Sequence, residues 1–165
     1  MLILFVGCVA VGWTPDLEGI FAGVLGFAII TVLGTALALL FAAMNVFFRD
    51  FQNIVATFTI FTHWIVPMIY PFSRLATSAI AATAFYTVYL ANPLTIGVLL
   101  LQRAFWVPTA IGQKGMPAEA TDVGFPYLPR DLFLLGWGML AASLVILVLC
   151  QIGFNRLEGK FAERL

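Results

Sequence analysis

Asn45-Val46-Phe47-Phe48-Arg49-Asp50 sets an adjacent Arg-Asp pair between two long stretches without a charged residue, Gly19 to Phe48 and Phe51 to Ser73. A charge at the centre of a bilayer costs about 2.5 to 3.5 kcal/mol even on the most lenient insertion scale, so the pair belongs where the chain leaves the hydrocarbon. These six residues read as a turn at one membrane face between two apolar segments. Composition agrees: the 165 residues are 62% hydrophobic and 10% charged, against about 25% charged in soluble domains, and the mean hydropathy is +1.05. Eight basic and eight acidic residues cancel, so no net field draws the chain to nucleic acid or to a charged surface. Cys8 and Cys150 lie in apolar runs, fit neither a metal-ligand spacing nor a disulfide framework, and read as packed thiols.

Working outward, Met1 to Gly12 is apolar but lacks a basic n-region and makes a poor secretory signal. About a dozen residues fall short of the roughly 20 that cross a bilayer. The expectation is a partial helix whose first half lies upstream. Trp13 suits the interface, and Thr14 or Asp16 can cap the next helix. Gly19 to Phe48 is then a first full span, with Gly19, Gly23 and Gly26 keeping one face small for close helix approach. Phe51 to Ser73 reads as a second span. At about 100° per residue Thr59, Thr62, His63 and Val66 share a face of it, a polar stripe expected to meet protein or water rather than lipid. Pro67 and Pro71 remove backbone donors, so this helix should kink or stop there.

Leu75 to Gln102 is uncharged but interrupted, because Asn92-Pro93 disfavours continued helix and favours a turn. Two short segments, Ala76 to Leu90 and Pro93 to Phe105, fit a re-entrant hairpin that would bring Arg74 and Arg103 to neighbouring ends on one face. Val107 to Asp131, with four prolines and three glycines, reads as an aqueous loop. Leu132 to Phe154 is the clearest span, with Trp137 near its start, and Asn155 to Leu165 is a charged tail. Charge bias does not orient the chain, since Arg49 and the tail carry four basic residues and Arg74, Arg103, Lys114 and Arg130 make four on the other face. If the middle segment re-enters, the Arg49 turn and the tail share a face; Arg156, Lys160 and Arg164 place that face in the cytoplasm. The fold expected is all-α and polytopic, with about three full transmembrane helices, a partial N-terminal one and a re-entrant external hairpin, in one domain over residues 1–165.

Asn45 to Asp50, followed by Val66-Pro67-Met68-Ile69-Tyr70, Asn92-Pro93, Arg103, Phe154 to Glu158 and Phe161-Ala162-Glu163, resembles in order and spacing the permease subunit of type-2 ABC exporters for polysaccharides and polyol phosphates, the family that exports O-antigen and teichoic acid. The resemblance covers nearly the whole chain. It implies the C-terminal part of a six-helix permease: Gly19 to Phe48 as the fourth span, Phe51 to Tyr70 the fifth, Ala76 to Phe105 an external gate hairpin, and Leu132 to Phe154 the sixth. Residues 107–131 would form an external loop and 155–165 a cytoplasmic tail. The front of the family pattern is missing, so the chain reads as N-terminally truncated. The implied setting is a bacterial cytoplasmic membrane, with a permease homodimer and a lipid-linked glycan as cargo. An ABC ATPase partner would bind the ATP and magnesium, because this chain lacks the Gly-rich phosphate loop, and no cofactor is expected in the chain itself.

Two groups of residues then carry function. Phe48, Arg49 and Asp50 are either an ATPase-coupling turn, with Phe48 as an apolar plug and the charged pair fixing its orientation, or an ordinary interfacial turn. Phe58, Phe61, Trp64 and Tyr70 with Thr59, Thr62 and His63 offer rings for sugar faces and hydroxyls for sugar edges along a translocation path. The alternative is that they pack against lipid or neighbouring helices, with His63 an interhelical hydrogen bonder. Asn92, Pro93 and Arg103 would belong to the external gate hairpin. A secondary transporter needs intramembrane carboxylates, and every acidic residue lies outside the uncharged runs. No catalytic residue and no metal ligand set is expected, since the chain has one histidine, no Cys-x-x-Cys and no carboxylates paired on a helix face. A drug or lipid exporter of related architecture and a non-transporting membrane scaffold stay open.

Overall fold

The computed structural model describes residues 6–7, 10, 17–48, 50–70, 72, 75, 78, 82–110, 128–129 and 131–158, without the side chains of 106–110. Among the described residues the regular structure is entirely helical. The principal helices are α1 (Leu17–Phe47), α2 (Phe51–Ile65), α3 (Ala84–Leu90), α4 (Pro93–Ala110) and α5 (Leu132–Glu158). With 31 and 27 residues, α1 and α5 are, among the described residues, the two helices long and apolar enough to cross a membrane; at about 1.5 Å per residue both exceed a hydrocarbon core of about 30 Å. Their outer faces are apolar too. Phe21, Val24 and Phe27 on α1, and Leu134, Trp137, Val145 and Leu149 on α5, are exposed, which fits a protein solvated by lipid.

The centre is a three-helix seam of α1, α4 and α5 built on small residues. A Cβ at Gly26 would stand 2.7 Å from the Gly97 carbonyl oxygen, one at Gly97 2.9 Å from Ile30, and one at Gly136 2.8 Å from Leu25. Lipid gives no hydrophobic drive for helices to associate, so close backbone approach has to supply the packing. Ala22, Ile29, Ile96, Leu99 and Leu100 are buried beside this seam. The expected small face of α1 is therefore observed, with Gly23 against Ala104 and Gly26 against α4.

Directions follow from the same contacts. Gly97 meets Gly26 and Ile30, Ala104 meets Gly23, and Arg103 bonds Glu18, so α4 runs antiparallel to α1. Gly136 meets Leu25, and the buried stripe of α1 continues through Leu33 and Ala36 to Ala43, beyond the reach of α4. α5, with Ser143 buried one heptad past Gly136, covers that half and runs parallel to α1. Phe47 and Glu158 consequently end at the same end of the bundle.

Three helix ends differ from expectation. The second segment is helical only over Phe51–Ile65, 15 residues or about 22 Å, and is too short to cross by itself. Its end is explained by Pro67, which pushes the preceding residue out of the helical region: Val66 has φ −81° and ψ 142°. A third crossing by length comes only from α3 and α4 taken together, bent by 71° at Asn92-Pro93. A broken span and a re-entrant loop both have this geometry. α4 also continues to Ala110 and α5 to Glu158, into the stretches read as loop and tail. Residues 111–127, and Arg74 with most of Ala76 to Ala81, lie outside the described residues.

Candidate functional site

The corner between α1 and α2 occupies residues 48–50. α1 closes with the Phe48 N–H donating to the Met44 carbonyl at 3.0 Å, and α2 opens with the Asn53 N–H donating to the Asp50 carbonyl at 3.1 Å. Asp50 stands at the N-cap without a side-chain capping bond. Its exposed carboxylate and the exposed ring of Phe48 thus share one corner. Arg49 lies outside the described residues.

α2 touches little. It has no buried residue, and its contact with α1 runs through Phe41, whose ring meets Phe51 at 5.7 Å and Phe58 at 6.3 Å edge to face. The polar groups of the stripe expected to meet protein or water are bonded within the helix itself. The hydroxyl of Thr57 donates to the Asn53 carbonyl, that of Thr59 to Val55 and that of Thr62 to Phe58, each at 2.9 Å, and His63 Nδ1 lies 3.0 Å from the Thr59 carbonyl. Each hydroxyl is satisfied one turn back along the helix itself. The proposed conduit residues do not line one wall. Phe58 and Thr62 lie on the side toward α1, whereas Trp64 lies on the opposite side and is exposed. An open groove of about 430 Å³ runs along the flank between, lined by Asn53, Ile54, Thr57, Phe58 and Phe61.

Tyr70 belongs to a different place. Its hydroxyl donates to the Ile65 carbonyl at 2.8 Å and lies 3.1 Å from the Tyr89 hydroxyl on α3, while Gln102 Nε2 on α4 donates to the Pro67 carbonyl at 2.7 Å. The unwound end of α2 is therefore tied to both halves of the bent pair. Tyr89 is buried and stacks on Phe72 at 6.4 Å. Sequence reasoning missed Tyr89 and Gln102. A tyrosine and a glutamine inside an apolar run were the available signal, since each needs a partner for its polar tip.

The residues expected at the gate have structural duties. Asn92 caps α4: its Oδ1 accepts from the Leu94 N–H at 3.0 Å and its carbonyl from the Ile96 N–H at 3.2 Å. Pro93 fills the first helical position, where a missing N–H costs nothing. Arg103 reaches Glu18 in the first turn of α1 at 2.9 Å, a partner the sequence reading did not assign. Because Gly97 sits level with Gly26 and Ile30, the Asn92-Pro93 break falls at about the middle of α1. One turn in from it, the Thr95 hydroxyl is wholly buried and without a hydrogen-bond partner. Among the described residues no group of histidine, cysteine, aspartate or glutamate could hold a metal ion, and Cys150 is a free, half-buried thiol.

Compared with family models, curated proteins and solved structures, the chain matches none. The class that fold and site define is a helical protein with two helices fit to cross a membrane and a bent helix pair between them.

Proposed function

We propose that the chain is the membrane-spanning subunit of an ATP-driven exporter that moves a lipid-linked polysaccharide or teichoic-acid-type polymer across a bacterial cytoplasmic membrane, working as a homodimer with a separate ABC ATPase. The observation that carries the reading is the parallel course of α1 and α5. It sets the Phe48 to Asp50 corner and the end of α5 at one end of the bundle, as an exporter requires if that corner is to meet an ATPase on the side where α5 ends. In this reading the corner receives the ATPase, the bent pair faces outward, and aromatic rings of α2 such as Phe61 and Trp64 line the cargo's route.

Reconstitution with an ATPase subunit of the glycan-export class tests it. Lipid-linked glycan should stimulate ATP turnover and cross the vesicle membrane, and Asp50→Ala should weaken association with the ATPase. Stimulation by small amphiphiles and not by glycan would shift the assignment to a drug or lipid exporter. An unaltered ATPase, with no association, would leave a non-transporting scaffold.

A further inference from the structure

We propose that the α3–α4 break is a hinge and that α2 is the strut that drives it. α2 is unburied along its length and held at its two ends. At the corner the ring of Phe51 rests on Phe41, and half-way along that of Phe58 does the same. At the far end, Gln102 grips the Pro67 carbonyl, and the hydroxyls of Tyr89 and Tyr70 link α3 to the Ile65 carbonyl. Among the described residues the shaft is held only by the Phe41–Phe58 ring contact half-way along, and displacement of the corner is delivered past it to these polar ties. Ties to carbonyls of an unwound helix end are suited to the task, because they hold backbone rather than a rotatable side chain.

What yields is the break. α4 is locked from Gly97 onward by its backbone approach to Gly26 and by Leu100 against Gly136. α3, seven residues long, packs against the rest through buried Tyr89 and the partly buried Tyr86 and Leu90. Pro93 supplies no N–H to bridge the two helices, so their 71° bend is held by the Asn92 cap and the tyrosine pair. The Thr95 hydroxyl is buried beside the break without a protein partner in this arrangement, and in the proposal the second arrangement of the pair supplies one. Thr95 lies two turns before Gln102 on the same side of α4, toward Pro67, where the strut is attached.

This inference rests on the exporter reading only for what moves the corner. Its test needs no ATPase, so either can fail alone. In nanodiscs, on a Cys8→Ala/Cys150→Ala background, a short bismaleimide bridging Phe41→Cys and Phe58→Cys fixes the strut to α1, and amide hydrogen exchange is read over residues 84–96. The bridge should slow exchange there by at least about 5-fold, the behaviour of a local opening that has been restrained. Gln102→Leu and Tyr70→Phe, made separately and together, should abolish the effect of the bridge. Thr95→Val should slow exchange without any bridge by removing the second arrangement's advantage. Exchange that ignores the bridge, a bridge effect that survives loss of both ties, or faster exchange in Thr95→Val would overturn the proposal.

Discussion

Gly26 and Gly34 stand about two turns apart on α1 and differ in what an added methyl group would meet: the Gly97 carbonyl oxygen at 2.7 Å in one case, nothing within 4 Å in the other. Gly26→Ala must push α1 from α4, and overpacking of this kind costs about 1 to 3 kcal/mol. Gly34→Ala meets only the better helix propensity of alanine and should gain up to about 1 kcal/mol. Opposite shifts in the thermal unfolding of the detergent-solubilised protein are expected. Thr59→Val and Thr62→Val are a second case, because each hydroxyl bonds its own helix. Both should change stability by less than about 0.5 kcal/mol, as surface substitutions away from special features do. The sequence made the glycine face of α1 legible through spacing alone. It could not show that Gly97 and Gly136 complete the seam, because partners across a helix interface leave no periodic trace in either helix. The threonine bonds were hidden for a related reason: composition registers a polar side chain but not the backbone carbonyl one turn behind it.

At the scale of elements, the long helices and the break between the two short ones were readable, and the angle of that break was not. α1 and α5 follow from uncharged runs bounded by Glu18, Asp131 and Arg156, since hydrocarbon penalises nothing more consistently than charge. The stop of α2 was legible in Pro67 and the break at Asn92-Pro93 in the dipeptide. The 71° bend was not, because it depends on the contact of Tyr89 with Tyr70 and on the burial of α4 against α1. The cap at Asn92 gives this level its prediction. Asn92→Ala removes the acceptor for the Leu94 N–H, and loss of such a cap costs about 0.5 to 2 kcal/mol. Hydrogen exchange at the Leu94 amide should rise in proportion, and Asn92→Asp, which keeps the acceptor, should restore protection.

For the whole molecule, the parallel relation of α1 and α5 makes one demand on topology. α1 begins at Glu18 beside Arg103 and ends at Phe47, while α5 begins at Leu132 and ends at Glu158. If both cross the bilayer, everything between Phe47 and Leu132 must make a net return to the side where α1 began. α2 covers about 22 Å and the bent pair completes the path, with Gln102 bonded to Pro67 where the two meet. A single-cysteine series on a background without Cys8 and Cys150 tests this. Gln52→Cys and Glu158→Cys should react with an impermeant maleimide from one side of sealed vesicles, and Glu18→Cys from the other. Reaction of Gln52→Cys and Glu158→Cys from opposite sides would separate the corner from the end of α5. The exporter reading would then lose the geometry that carries it, since a corner facing away from the C-terminal end of α5 could not meet an ATPase on that side.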